Sequence, residues 1–244
     1  MQVIGHRGWP TLYPDNVLEG IAAALEVADM VEVDVRRSGD RRLILSHDPR
    51  LGDLVVAETP WADLARVDLG RGFHPASLAQ VLEGFPSSPF NFEVKNAPAE
   101  AGFDPDHGSA LETAASARPG DLLSSFFWPT MDAVRPGFPD VATGLLVDTD
   151  GDLDSAVDHA LINGHLAVVA QWGLALRSAP ACRRGAESGL LMAVWTLNDA
   201  SRLPELASIG VTAIITDDPG EMRRAVDRDQ EASWQPSRNN SPKN

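Results

Sequence analysis

Little in this 244-residue chain is basic, aromatic or sulfur-bearing, and each shortage narrows what the protein can be. Lys and Arg together number 20 against 35 Asp and Glu, a formal net charge of −15. Nucleic-acid backbones and anionic membranes call for a basic surface, so this balance argues against both as partners. Any anionic substrate then needs positive charge gathered locally, from Arg, Lys or a metal ion. The single Cys182 cannot form an internal disulfide, which fits a reducing cytoplasm. No apolar run approaches the roughly 18 residues of a transmembrane helix, and the strand-like start Met1-Gln2-Val3-Ile4 lacks the n- and h-regions of a secretory signal. No Gly-x-Gly-x-x-Gly follows that first run, so the dinucleotide-binding fingerprint is missing. The expectation is a cytoplasmic protein with no membrane anchor.

What is present is a regular alternation, in a chain that is 43% hydrophobic. Short apolar runs predict strands near residues 2–5, 30–34, 90–94, 122–125, 142–147, 166–170, 191–195 and 213–216. Amphipathic or Ala-rich stretches between them, such as 16–28, 109–117, 153–162 and 200–208, predict helices, with Asp15 and Asp199 as N-caps. Eight strands alternating with helices in a chain near about 250 residues predict a (β/α)8 TIM barrel, with an open doubly wound sheet as the runner-up. The second unit breaks the rhythm. Its strand runs through Arg36-Arg37-Ser38-Gly39-Asp40 into Leu43-Ile44-Leu45, too short a connection for a parallel crossover, so a hairpin turning near Gly39 is expected. That turn sets His47 roughly opposite Glu32. The catalytic domain is expected over residues 1–228, with an insertion at about 36–76, and a polar, proline-containing tail over 229–244 is expected to be disordered.

Three of these apolar strands carry unusual charge at their ends. His6-Arg7-Gly8 ends the first, Glu32-Val33-Asp34 lies in the second, and Phe92-Glu93-Val94-Lys95 ends the third. Glu32 and Asp34, two residues apart, project from one face of a strand. With Glu93 they make an oxygen set suited to a hard divalent cation, which removes the mutual repulsion three carboxylates would otherwise suffer. A solvated strand end paired with Arg36 and Arg37 is the plainer alternative. His6 and His47 flank the set, and paired imidazoles can serve as general acid and base near neutral pH. Arg7 and Lys95 are either phosphate clamps or ordinary partners of the acids. Trp195, at the end of the seventh strand, is either a core aromatic or a wall against the alcohol part of a substrate. His74, His107, His159 and His165 are expected to be surface or local hydrogen-bonding residues.

Taken in order, His-Arg-Gly, Glu-x-Asp, the His-Asp of residues 47–48 and Glu-x-Lys resemble the glycerophosphodiester phosphodiesterase family, within the phospholipase C-like phosphodiesterase superfamily. Ser124-Ser125-Phe126, Trp195-Thr196-Leu197-Asn198 and Ile214-Ile215-Thr216-Asp217 are similar to its later strand ends, so the resemblance spans about residues 2–225. It implies a TIM barrel with a small insertion after the second strand. It also implies Glu32, Asp34 and Glu93 as ligands of one divalent cation, Mg²⁺ or Ca²⁺. His6 and His47 are then the acid/base pair, Arg7 and Lys95 the phosphate contacts, and Trp195 a pocket wall. The implied reaction is metal-dependent hydrolysis of a glycerophosphodiester to sn-glycerol 3-phosphate and an alcohol. Alternatives are a phospholipase D-like or lysophospholipid or sphingomyelin head-group phosphodiesterase, and a barrel that binds a phosphodiester without turning it over. Monomer and homodimer are both compatible with a barrel complete in one chain.

Two departures from the family pattern stand out. Pro14-Asp15-Asn16-Val17 replaces Pro-Glu-Asn-Thr, so the carboxylate is one methylene shorter. The sixth strand ends Gln171-Trp172 rather than His-Pro, so either residue is expected to reshape the pocket there.

Overall fold

The structure, a computed structural model, describes residues 1–233. Its strands are β1 (Gln2–His6), β2 (Met30–Arg37) with its hairpin partner β3 (Leu43–Leu45), and a small ribbon of β4 (Arg50–Leu51) and β5 (Leu54–Val55). They continue with β6 (Phe90–Val94), β7 (Leu122–Ser125), β8 (Ala142–Val147), β9 (Ala167–Gln171), β10 (Leu191–Trp195) and β11 (Ala213–Thr216). Among the described residues, eight of these run parallel in the order β1-β11-β10-β9-β8-β7-β6-β2, and a β1–β2 pairing closes the ring. The closed barrel, not the open sheet, is the fold.

Strand alternation explains why it closes. Val31, Val33 and Val35 of β2, with Phe90, Phe92 and Val94 of β6, pack outward on helix residues such as Ile21, Val81 and Ala110. The opposite faces fill the interior with Ile4, Leu122, Leu146, Ala167, Val169, Ala193, Ala213 and Ile215. On β2 the inward positions are therefore Glu32, Asp34 and Arg36, all buried. Below them the barrel is apolar and filled; at this level it is ionic.

The hairpin after β2 forms, one residue out of the expected register. Val35, Arg36 and Arg37 pair with Leu45, Ile44 and Leu43. The turn is closed by Ser38 N to Arg42 O at 2.8 Å and uses Arg41 at φ +65°, so it centres on Asp40 rather than Gly39. Extended, that register would set His47 opposite Val33. The ladder ends first, with Ser46 N donating to Asp34 O at 3.0 Å, and His47 leaves the sheet. The rest of the insertion wraps a small core of Ile44, Val56 and Leu64. It ends at a capping box: Ser77 Oγ accepts from Gln80 N, and Gln80 Oε1 accepts from Ser77 N, opening the helix Leu78–Gly84.

Two helix boundaries differ from the sequence reading. The first helix is Leu18–Leu25 and Val17, not Asp15, is its N-cap. Asn16 takes φ +61° and turns its amide onto β2 instead, which delays the helix start. The 200–208 segment is split: Asp199 caps a 3₁₀ turn at Ala200–Arg202, and an α-helix follows over Leu203–Ser208. The last helix, Pro219–Ser233, overruns the limit expected at 228, and the remainder of the expected tail lies outside the described residues. Among the described residues no helix is long and apolar enough to cross a membrane.

The site depends on a tight contact at the top of β1. Gly8 has φ +95°, and a Cβ there would lie 2.8 Å from the Gly20 carbonyl carbon and 2.9 Å from Ile21 N. Gly8→Ala is expected to destabilise the fold by about 1–3 kcal/mol, from backbone strain and this clash. Urea unfolding measures it; an unchanged midpoint would show that the turn tolerates a side chain.

Candidate active site

Parallel register brings the charged residues together. His6 is level with Glu32, and Asp34 with Glu93, across the neighbouring strands β1, β2 and β6. One carboxylate oxygen each from Glu32, Asp34 and Glu93 lie within 4.8 Å of one another, at the carboxyl ends of the strands where barrels build their sites. Two cations from adjacent strand ends offset this charge. Arg7 Nε is 3.3 Å from Asp34 Oδ2, and Lys95 Nζ is 2.9 Å from Asp34 Oδ1 and also contacts Glu93. The backbone N–H of Arg7 donates to Glu32 Oε2 at 3.0 Å, in a turn where Arg7 itself has φ +54°.

The carboxylates respond differently to this setting. Burial pushes the Glu32 carboxyl well above the usual glutamate range, with Asp34 and Glu93 adding repulsion. Burial also raises Glu93, although Lys95 opposes it. For Asp34 burial is again the largest influence, but Lys95, Arg7 and the Asn16 amide outweigh it and hold the group below its ordinary value. Asn16 grips Asp34 twice: Nδ2 donates to Oδ2 at 2.8 Å, and Oδ1 accepts the Asp34 N–H at 3.1 Å.

The buried Glu32 Oε1 has no hydrogen-bond donor, and Asp34 Oδ1 meets only the Lys95 ammonium. An orphaned oxygen among three converging carboxylates, with two of the acids raised, marks a donor set that a hard divalent cation fits.

Both histidines are oriented through Nδ1. His6 Nδ1 donates to Asp217 Oδ1 at 2.7 Å, which leaves Nε2 facing Glu32 Oε2 at 4.0 Å. Burial raises Asp217, but hydrogen bonds from His6 and Asn198 outweigh it and keep the carboxylate below its ordinary range. His47 Nδ1 donates to Asp48 Oδ1 at 2.8 Å, again freeing Nε2. The His47 carbonyl accepts two bonds from the buried Arg36 guanidinium, at 2.9 and 2.7 Å, and Arg36 is anchored in turn to Glu100 at 2.7 Å. His47 lines two hollows of about 220 and 240 Å³, the first with Arg7 and Asp15, the second with Glu93, Lys95 and Phe126.

Trp195 meets Phe126 edge-on at 5.3 Å, and Phe126 also lies 5.9 Å under Lys95 Nζ. Asp15 accepts from Arg7 Nη1 at 2.7 Å, so it holds the arginine rather than the helix. Gln171 and Trp172 are both engaged elsewhere. Gln171 Oε1 caps Leu174 N at 2.9 Å, and Trp172 lies 5.8 Å from the Arg202 guanidinium.

A family profile described as the glycerophosphoryl diester phosphodiesterase family matches residues 6–221, from the first site histidine to beyond Asp217. The chain belongs to that family. Its members are phosphodiesterases, and the comparisons agree along the whole barrel. YhdW of Bacillus subtilis (strain 168), named provisionally as a glycerophosphodiester phosphodiesterase, is 24% identical over 90% of this chain and 95% of its own. Lysophospholipase D GDPD3 of Homo sapiens is 22% identical over 91% of this chain and 84% of its own. Among solved structures, an Oleispira antarctica phosphodiesterase in complex with the product sn-glycerol-3-phosphate superposes with a TM-score of 0.81. It covers 93% of this chain and 97% of that one at 20% identity, which speaks for the fold alone.

Sequence reasoning did not single out Arg36, Asn16 or Asp217 as site residues of this family member. Alternation along β2 was the available signal for Arg36, since it shares the inward face with Glu32 and Asp34. For Asp217 there was none locally, because its partner is 211 residues away.

The raised Glu32 carboxyl has a consequence for stability. A group that binds its proton more tightly when folded stabilises the fold at low pH; that contribution is lost as pH rises from the usual glutamate range to the raised value. Asp34, held low, works in the opposite sense and loses its contribution only below its ordinary range. In chelator at pH 8, Glu32→Gln is therefore expected to melt higher than the parent and to gain less from added Mg²⁺ or Ca²⁺. Calorimetry of both proteins checks this; a lower melting point for the variant would show that the Glu32 charge is stabilising as it stands.

Proposed function

We propose that the protein hydrolyses glycerophosphodiesters to sn-glycerol 3-phosphate and an alcohol, with His6 and His47 as the acid/base pair. The observation that carries this reading is the common state of the two imidazoles. A carboxylate holds each Nδ1–H, so each keeps Nε2 free: that of His6 lies 4.0 Å from Glu32, and His47 shares a hollow with Glu93. One removes the proton of the attacking water or hydroxyl while the other protonates the departing alkoxide. Asp217 and Asp48 fix the tautomers and stabilise the imidazolium that forms in each half of the exchange.

Glu32, Asp34 and Glu93 would hold one divalent cation, Mg²⁺ or Ca²⁺, which when bound neutralises charge on the phosphate. Arg7 and Lys95 add the positive charge that an acidic chain must concentrate for an anionic substrate. Trp195, backed by Phe126, forms an apolar wall for the carbon part of the substrate. Phe126 is 40% exposed, so this wall opens to the solvent side rather than into the core. A cytoplasmic location goes with this reading, supported by the lone, buried thiol of Cys182.

The test is release of sn-glycerol 3-phosphate from glycerophosphocholine, in EDTA and then with Mg²⁺ or Ca²⁺ restored. Activity is expected to vanish with chelator and return with one of the ions. His47→Ala is expected to lower kcat roughly 10²–10⁴-fold with an unchanged melting point, the usual scale for a general acid or base. Turnover that survives EDTA, or an unimpaired His47→Ala, would sink the mechanism. Turnover of lysophosphatidylcholine alone would transfer the assignment to the substrate class named for the human relative.

A further inference from the structure

Away from the strand ends, a second group of ligating side chains bridges two helices and the sheet. Asp132 lies in the helix Trp128–Val134, His159 in the helix Leu153–Asn163, and His165 on the turn that enters β9. His159 Nε2 is 2.9 Å and His165 Nε2 3.0 Å from the same oxygen, Asp132 Oδ1. The two rings are stacked, 8° from parallel and 5.8 Å apart. One ligand atom from each of the three residues lies within 4.8 Å of the other two. We propose that Asp132, His159 and His165 form a second metal site that takes a borderline transition-metal ion, with Zn²⁺ the best match.

The donor set carries the choice of ion. Two imidazole nitrogens and one carboxylate oxygen are typical of Zn²⁺, whereas the all-oxygen set at Glu32, Asp34 and Glu93 suits Mg²⁺ or Ca²⁺. Bonds of about 2.0–2.1 Å to a tetrahedral ion put ligand atoms about 3.3–3.4 Å apart, so the two contacts to Asp132 need to open by only a few tenths of an ångström, while the two imidazole nitrogens already lie within 4.8 Å of each other. The outer shell is already built on one side. The His165 side chain is fully buried, and its Nδ1 is 2.8 Å from the hydroxyl of the buried Thr143 on β8. That is the second hydrogen bond by which ligating histidines are oriented. On binding, each neutral imidazole moves its proton from Nε2 to Nδ1; at His165 that proton is donated to Thr143 Oγ1. No net proton is released. His159 and Asp132 are part-exposed, so the ion has an entry path and room for a water in the fourth position. Arg135, the cation facing His165, has its Nη1 committed to the carbonyls of Pro139 and Val141.

Such an ion would clip the outer helices to β8 and β9 without touching the chemistry. The test uses full-length protein stripped by chelator and then held in excess Mg²⁺. Zn²⁺ is titrated by calorimetry, and Co²⁺ by the intense visible absorption of a tetrahedral site. Wild type and Glu93→Gln are both expected to bind one equivalent at this site. His159→Gln keeps an N–H donor for Asp132 but is a poor ligand. It should lose that equivalent while hydrolysing glycerophosphocholine in Mg²⁺ at the parental rate. Thr143→Val should weaken binding about 10–100-fold. Equal Zn²⁺ binding by His159→Gln and wild type, loss of the equivalent in Glu93→Gln, or octahedral Co²⁺ spectra would each overturn the proposal.

Discussion

The burial of like charges at one level of a barrel is the constraint from which most of this structure follows. Glu32, Asp34 and Glu93 are nearly removed from water, on strands whose pairing cannot slip without exposing Val31, Val33 and Val35. The apolar outer face thus enforces an ionic inner one. Arg7 and Lys95 offset part of the repulsion, but burial, with the repulsion that remains, raises Glu32 and Glu93. Asp34 escapes that fate because Lys95 and Arg7, joined by the Asn16 amide, outweigh its burial. Stability and readiness to bind a cation are therefore two aspects of the same strain.

Around this cluster the contacts that orient side chains are as well defined as the cluster itself. Asn198 shows how far the support extends. Its Nδ2 donates to Asp217 at 2.6 Å, while its Oδ1 accepts from the Asp217 N–H at 2.9 Å and from the Thr216 hydroxyl. One amide thus fixes the carboxylate that fixes His6. On the other side Arg36 reaches up from the sheet to hold a loop carbonyl, so the position of His47 depends on a buried arginine anchored to the part-exposed Glu100 rather than on strand pairing. One histidine is locked to the barrel and the other is tethered to an insertion.

Legibility in the sequence follows the range of the interaction. Strand alternation and two-residue spacing are local, so the barrel, Glu32 with Asp34, and the hairpin could all be read directly. The hairpin register failed by one residue because it depends on which residue accepts a positive φ, and Arg41, not Gly39, does so. Asp15 has the composition of a helix cap, yet a stronger ionic partner in Arg7 claims it. Gln171 has the position of a pocket residue, yet the helix after β9 takes its oxygen. Asp217 could not be assigned because its meaning comes from a partner that only the closed fold supplies.

The seam of the barrel gives one of these contacts a further meaning. His6 ends β1 and Asp217 follows β11, so the pair that sets the imidazole tautomer joins almost the first and last parts of the fold. All three carboxylates come from β2 and β6, within the first hundred residues, but the first histidine has no Asp217 to orient it until β11 is in place. The orientation of this imidazole is thus a property of very high contact order, settled only when the last strand docks. The ring closure that completes the core also fixes the tautomer of the first histidine.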